Sequence, residues 1–159
     1  MRLPLSDLLQ AGALDLRCVV KAQKSSASML KVLVVEDSAE IQALLQAMLS
    51  EIPSVEVIAV VDTELAAIDA LESGRADLAI VDLELQSGTG LGLLKALSEP
   101  GEFKGRIKVV VFSNYSNLVI RHRCLSLGAK AFFDKSFQID ELLEFVQAEA
   151  SGKSRSLSA

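Results

Sequence analysis

From Leu30 onward, apolar runs of strand length alternate with stretches in which apolar residues recur at helical spacing. The runs are Leu30 to Val35, Val55 to Val61, Leu78 to Val81, Ile107 to Phe112 and the short Ala131-Phe-Phe. They are rich in Val and Ile with little polar alternation, which is the pattern of parallel strands covered on both faces. Between them, Ile41, Leu44, Leu45, Met48 and Leu49 outline a first helix, with Ser38 placed to cap its first turn. Leu65, Ile68, Asp69 and Leu71 outline a second, ending at Gly74. Leu91, Leu94 and Leu97 mark a third after the Gln86-Ser-Gly-Thr-Gly90 loop, closed by Pro100-Gly101. Leu118 to Leu127 form a fourth, stopped at Gly128. Gln138 to Ala150 form a fifth, with Ile139, Leu142, Leu143 and Val146 as its buried stripe.

Strands alternating with helices imply right-handed crossovers, which leave few ways to wind the chain. The expectation is an α/β fold: a doubly wound five-stranded parallel sheet of flavodoxin-like order 2-1-3-4-5, with helices on both faces. Ligands belong beyond the carboxyl ends of its strands. Residues 1–28 fall outside the pattern. Lys24-Ser-Ser-Ala-Ser28 reads as a linker, while Ser6-Asp-Leu-Leu and Leu14 to Val20 carry only weak signals of local order. The expected organisation is an N-terminal extension at 1–28, one domain at 29–150 and a fraying polar tail at 151–159.

Composition agrees with a single core: 159 residues, 50% apolar and 23% charged. A net charge of −5 with a sequence pI near 4.9 excludes a protein whose main task is gripping a nucleic-acid backbone. Cys18 and Cys124 lie far apart with no CxxC pair, and a single histidine, His122, leaves no His/Cys cluster for zinc, which fits a reduced compartment. The apolar runs fall well short of the ~20 residues that cross a bilayer, so no membrane insertion is expected. Asp7 and Asp15 interrupt any secretory signal, and a cytoplasmic location follows.

On this scheme Glu36 and Asp37 end the first strand, Asp82 the third and Ser113 the fourth, while Lys135 follows the fifth. All reach one rim. Clustered carboxylates resist joint ionisation unless a cation lies among them, and a hard ion such as Mg2+, with Mn2+ as a substitute, suits oxygen ligands. With such an ion present, Asp82 can act as a nucleophile toward phosphorus. Lys135 supplies a point charge for a phosphate oxygen and the Ser113 hydroxyl a hydrogen bond, so the product is an aspartyl phosphate.

The set Val34-Val-Glu-Asp37, Ile80-Val-Asp82, Val111-Phe-Ser113 and Phe133-Asp-Lys135 resembles the receiver domain of bacterial two-component response regulators over roughly Leu30 to Ala150. The resemblance implies a histidine kinase or phosphotransfer protein as phosphoryl donor and Asp82 as acceptor, the receiver itself supplying the catalytic groups. It implies metal held by Asp37, Asp82 and the backbone carbonyl of Glu84, with Glu36 acting through water. It also implies a switch in which Ser113 is drawn inward and Phe132 rotates into the vacated space, read out on the fourth helix, fifth strand and fifth helix. After the fifth helix nine residues remain, so a stand-alone receiver is expected to signal through contacts with a downstream protein target, without direct nucleic-acid binding.

Departures from the family pattern are Ser136 and Gln86 in place of prolines, Asn114 in place of a small residue, Glu84 as an added charge and Phe132 in place of tyrosine. A non-proline cis bond before Ser136 would cost about 2.5–4 kcal/mol, which leaves that loop trans or strained. Asn114 and Ser136 motivate an alternative, a pseudo-receiver scaffold not regulated by phosphate. A metal-dependent phosphatase is a third reading, but its Asp-x-Asp pattern is Asp82-Leu-Glu84 here. Arg121-His-Arg123 reads as a solvated face. Gly88-Thr-Gly90 lacks both phosphate-loop spacings and reads as a turn.

Overall fold

The structure is a computed structural model and describes residues 29–101, 103 and 105–152. The readings made on Cys18, Leu14 to Val20, Lys24 to Ser28 and residues 153–159 lie outside the described residues. In chain order the elements are β1 (Leu30–Val35), α1 (Ala39–Ser50), β2 (Val55–Val61), α2 (Glu64–Glu72), β3 (Leu78–Val81), α3 (Gly90–Ser98), β4 (Lys108–Ser113), α4 (Leu118–Ser126), β5 (Ala131–Asp134) and α5 (Ile139–Ala150). The strands form one sheet of order β2-β1-β3-β4-β5, every pair parallel, as the alternation predicts.

Strand side chains alternate between two cores, since successive residues point to opposite faces. Val32, Val34, Leu78, Ile80, Val110, Phe112 and Phe133 pack with Leu45 and Leu49 of α1 and Leu142 and Val146 of α5. Leu33, Val35, Ala79, Val81, Val109, Val111 and Phe132 pack with Ala67 and Leu71 of α2, Leu93 and Leu94 of α3 and Cys124 of α4. Burying each large aliphatic side chain contributes about 1.5–3 kcal/mol, which accounts for the unbroken Val and Ile runs of the central strands. β2, at the sheet edge, is mostly half-buried, and its register against β1 slips between Val32 and Leu33.

The caps explain where the helices begin. Ser38, Thr63, Thr89 and Asn117 each accept a hydrogen bond from the backbone N–H three residues on, relieving one orphan donor of the first turn. Gly74 and Gly128, at positive φ, follow α2 and α4 as expected. α3 stops at Ser98 because Glu99, held extended before Pro100, cannot continue the helix.

Several boundary or burial expectations need correction: α4 ends at Ser126 with Leu127 as its cap, and β5 runs on to Asp134. Leu65 is 70% exposed, because the buried stripe of α2 is centred on Ala67 and Leu71. Leu44 is exposed, α1 turning the Leu45 and Leu49 edge of its apolar face inward. Ile107 precedes β4, which instead continues through Ser113. Gln138 stands outside α5, at its N-cap position.

Candidate functional site

Parallel pairing sets the rim of the site. Val35 is level with Val81, Val81 with Val111, and Ser113 with Asp134. The ladder runs on past the strand ends, with Asp82 N–H donating to the Val35 carbonyl at 2.9 Å and Lys135 N–H to the Ser113 carbonyl at 3.2 Å. Glu36, Asp37, Asp82, Ser113 and Lys135 are thereby brought together, as their positions in the sequence predict.

Lys135 Nζ lies 2.5 Å from Glu36 Oε2 and 2.8 Å from Asp82 Oδ2. Glu36 and Asp82 are buried and Asp37 is exposed, and one carboxylate oxygen from each of the three lies within 4.8 Å of the others. Glu36 is held from its other side, Oε1 accepting from Ser38 N–H at 3.0 Å while Gln42 Nε2 donates to its carbonyl at 2.6 Å. Burial pushes the Glu36 carboxyl above its ordinary 4.5, more than the Lys135 hydrogen bond pulls it down. For Lys135, burial disfavours the ammonium, but hydrogen bonds to Asp82 and Glu36 outweigh it and raise the group above 10.5.

Three carboxylates against one ammonium leave a negative excess that a divalent cation matches. The donor set is all oxygen, which suits a hard ion able to keep some of its waters. Ser113 is buried and its oxygen accepts from Tyr115 N–H at 3.2 Å; a hydroxyl also donates, so it can face an anion bound beside Asp82. Glu84 is exposed and forms an antiparallel bridge with Thr89.

The loop after β5 takes the trans form, one of the two that the sequence leaves open. Among the described residues no peptide bond is cis, so the bond before Ser136 is trans. Ser136 N–H donates to Asp134 Oδ1 at 2.7 Å, a bond a proline could not make, and its hydroxyl reaches Asn114 Oδ1 at 3.3 Å. Hydrogen bonds from Ser116 and Ser136 hold the Asp134 carboxyl below its ordinary 3.8. The two unusual residues, Asn114 and Ser136, are thus partners.

Arg121 is the residue that sequence reasoning misplaced. It is half-buried rather than solvated, its guanidinium 5.4 Å from the Phe132 ring centroid and its Nη2 donating to the Phe132 carbonyl at 2.9 Å. His122 and Arg123 are exposed as expected. The signal was available in Cys124, buried three positions on and therefore on the same helix face. Phe132 beneath it is 3% exposed. Arg121→Ala is expected to cost about 1.5 kcal/mol, the sum of a cation–π contact and one hydrogen bond, measured by urea unfolding.

A family model described as the response regulator receiver domain matches residues 32–147. The chain belongs to the response regulator receiver domain family. A curated relative, protein-glutamate methylesterase/protein-glutamine glutaminase 1 of Methanospirillum hungatei, is 30% identical over 118 residues, covering 73% of this chain and 34% of its own. This receiver therefore spans about a third of the length of that relative. The signal receiver domain of NarL from Mycobacterium tuberculosis shares the fold, with a TM-score of 0.69 at 22% identity over 79% of this chain and 98% of that one. The Mn2+-bound form of response regulator Rcp1 superposes with a TM-score of 0.60 at 28% identity, over 74% of this chain and 89% of that one. Receivers of this family are phosphoacceptor signalling domains that bind a divalent metal through an acidic cluster, which here is Glu36, Asp37 and Asp82. Among the described residues no helix is long and apolar enough to cross a membrane.

Proposed function

We propose that this receiver accepts a phosphoryl group on Asp82 from the phosphohistidine of a histidine kinase or phosphotransfer protein and signals through protein contacts. The observation that carries the reading is the contact of Lys135 Nζ with both Glu36 and Asp82 at a rim that also holds Asp37 and Ser113. In the transfer, an Asp82 carboxylate oxygen forms the bond to phosphorus as the bond from phosphorus to the donor imidazole nitrogen breaks; the bonding pair stays on that nitrogen, and the imidazole leaves neutral with the proton its other ring nitrogen already carried. Lys135 moves its charge from the free carboxylate to a phosphoryl oxygen, and Ser113 donates to another. Asp37, Asp82 and the Glu84 carbonyl would hold Mg2+, with Glu36 acting through water. When bound, that ion neutralises charge on the transferred group.

The residues that do this lie within 29–150, with 1–28 and 151–159 as flanking segments and the cytoplasm as the setting. The reading is of a receiver whose own surface engages proteins rather than a nucleic-acid backbone or a membrane, in keeping with its net charge of −5. Phe132 is the switch aromatic, moving with Ser113 under the cover of Arg121. Output passes to a protein target across α4, β5 and α5. Exposed Leu118 and Val119 at the start of α4, and Phe137 beside Ser136, offer that target apolar surface.

The test is intact mass after incubation with Mg2+ and a small acyl phosphate. Wild type gains one phosphoryl group and Asp82→Ala gains none. Wild type that gains none at saturating donor points instead to the scaffold reading, for which the Asn114 to Ser136 contact beside Lys135 is the structural motive.

A further inference from the structure

The glycine-spaced segment Gly88-Thr89-Gly90-Leu91-Gly92, whose first three residues read as a plain turn in the sequence, is built around one carboxylate. Glu64, the first residue of α2, accepts a hydrogen bond from Thr89 N–H through Oε2 at 2.8 Å. A Cβ at Gly88 would lie 2.4 Å from Glu64 Cβ, and one at Gly92 would lie 2.6 Å from its Oε2. The Glu64 side chain thus occupies the space that two side chains would otherwise take. The surrounding backbone is joined as well, Glu64 N–H donating to the Ser87 carbonyl at 3.0 Å and Gln86 N–H to the Asp62 carbonyl at 3.1 Å.

The far side of this loop is the phosphorylation site. Thr89, held by Glu64, pairs with Glu84 in an antiparallel bridge. Gly90 N–H donates to the Leu83 carbonyl at 3.1 Å, and a Cβ at Gly90 would fall 2.1 Å from the Asp82 carbonyl oxygen. Asp82, Leu83 and Glu84 are therefore seated on residues 89 and 90, and residue 89 is seated on Glu64. We propose that Glu64 is a positioning residue for the divalent-cation site. By holding the Thr89 amide it keeps the Asp82 carboxylate and the Glu84 carbonyl facing the cation together. This deepens the metal reading above and rests on it. Partners one step behind a metal ligand set its orientation, and losing one typically weakens metal affinity by about 10–100-fold; Glu64 stands one step further back, behind Thr89, which places its effect at the lower end of that range. The competing reading is that Glu64 only favours the N-terminus of α2, which would act on stability and leave metal affinity unchanged.

Mn2+ titration, with free ion read by electron paramagnetic resonance, separates the two. The proteins are wild type, Asp37→Asn, Glu64→Ala, Glu64→Gln, Gly92→Ala and the double variant Glu64→Ala/Gly92→Ala, each also unfolded in urea without metal. Glu64→Ala is expected to weaken Mn2+ binding about tenfold. Glu64→Gln recovers most of it, since an amide oxygen still accepts from Thr89. Gly92→Ala displaces the carboxylate and weakens binding to a similar extent, although Ala favours the α3 helix over Gly. The double variant is no weaker than either single variant. Unchanged affinity in Glu64→Ala, no recovery in Glu64→Gln, or additive losses in the double variant overturns the proposal. Wild type that binds no Mn2+ overturns the metal reading and this inference together. Wild-type binding that Asp37→Asn weakens and Glu64→Ala does not overturns this inference alone.

Discussion

Lys135→Ala should lose about 3 kcal/mol of stability at neutral pH without metal, and Mn2+ should restore most of it. The Lys135 side chain is 10% exposed and its two partners, Glu36 and Asp82, are 3% and 6% exposed. Removing the ammonium leaves two carboxylates facing one another with little water to screen them, which is the costly way to break a buried ion pair. A divalent cation among the same oxygens supplies the missing charge, so recovery by Mn2+ separates lost charge from lost packing. Phosphoryl uptake in the same variant should fall on the order of 10²-fold even at saturating metal, because a fixed donor to the transferred group is gone. Urea unfolding with and without Mn2+ checks the first part and the rate of mass gain the second. A variant as stable as wild type, or one indifferent to Mn2+, would contradict the assigned electrostatics.

Gly90→Ala should cost about 3 kcal/mol and disturb Asp82. The added methyl would meet the Asp82 carbonyl oxygen at 2.1 Å and the Leu83 Cα at 2.9 Å, both backbone atoms that cannot turn aside as a side chain could. Helix propensity runs the other way, since Ala is favoured over Gly within α3, so a net loss isolates the steric term. Chemical denaturation gives the stability. A folded Gly90→Ala that takes up phosphoryl groups at the wild-type rate would show that the loop relaxes without moving the acceptor.

The sheet order and the rim were legible in the sequence because both follow from position alone. Continuous Val and Ile runs mark buried parallel strands, and a polar residue just past such a run has to reach the carboxyl edge. Asp82 after Leu78–Val81 and Glu36 after Leu30–Val35 are read this way, and the structure seats both under Lys135. Contacts between loops were not legible. Glu64 and Thr89 lie 25 residues apart, and nothing local to either marks the pair. Arg121 was misplaced for a related reason: three charged or polar residues in a row look solvated, yet rotation along the helix turns only the first toward β5. The trans bond before Ser136 was legible, being the default for a residue other than proline, but the use of its N–H by the Asp134 side chain was not.

The most direct measurement of the central claim locates the phosphoryl group. Protein treated with Mg2+ and a small acyl phosphate is reduced with borohydride, which converts an aspartyl phosphate to homoserine, and the peptides are then mapped by mass. The account predicts homoserine at position 82 alone, dependent on Mg2+ and strongly reduced in Lys135→Ala. Homoserine at Asp37 or another aspartate, the corresponding five-carbon hydroxy amino acid at Glu36 or another glutamate, or no reduced residue anywhere in wild type, would contradict it.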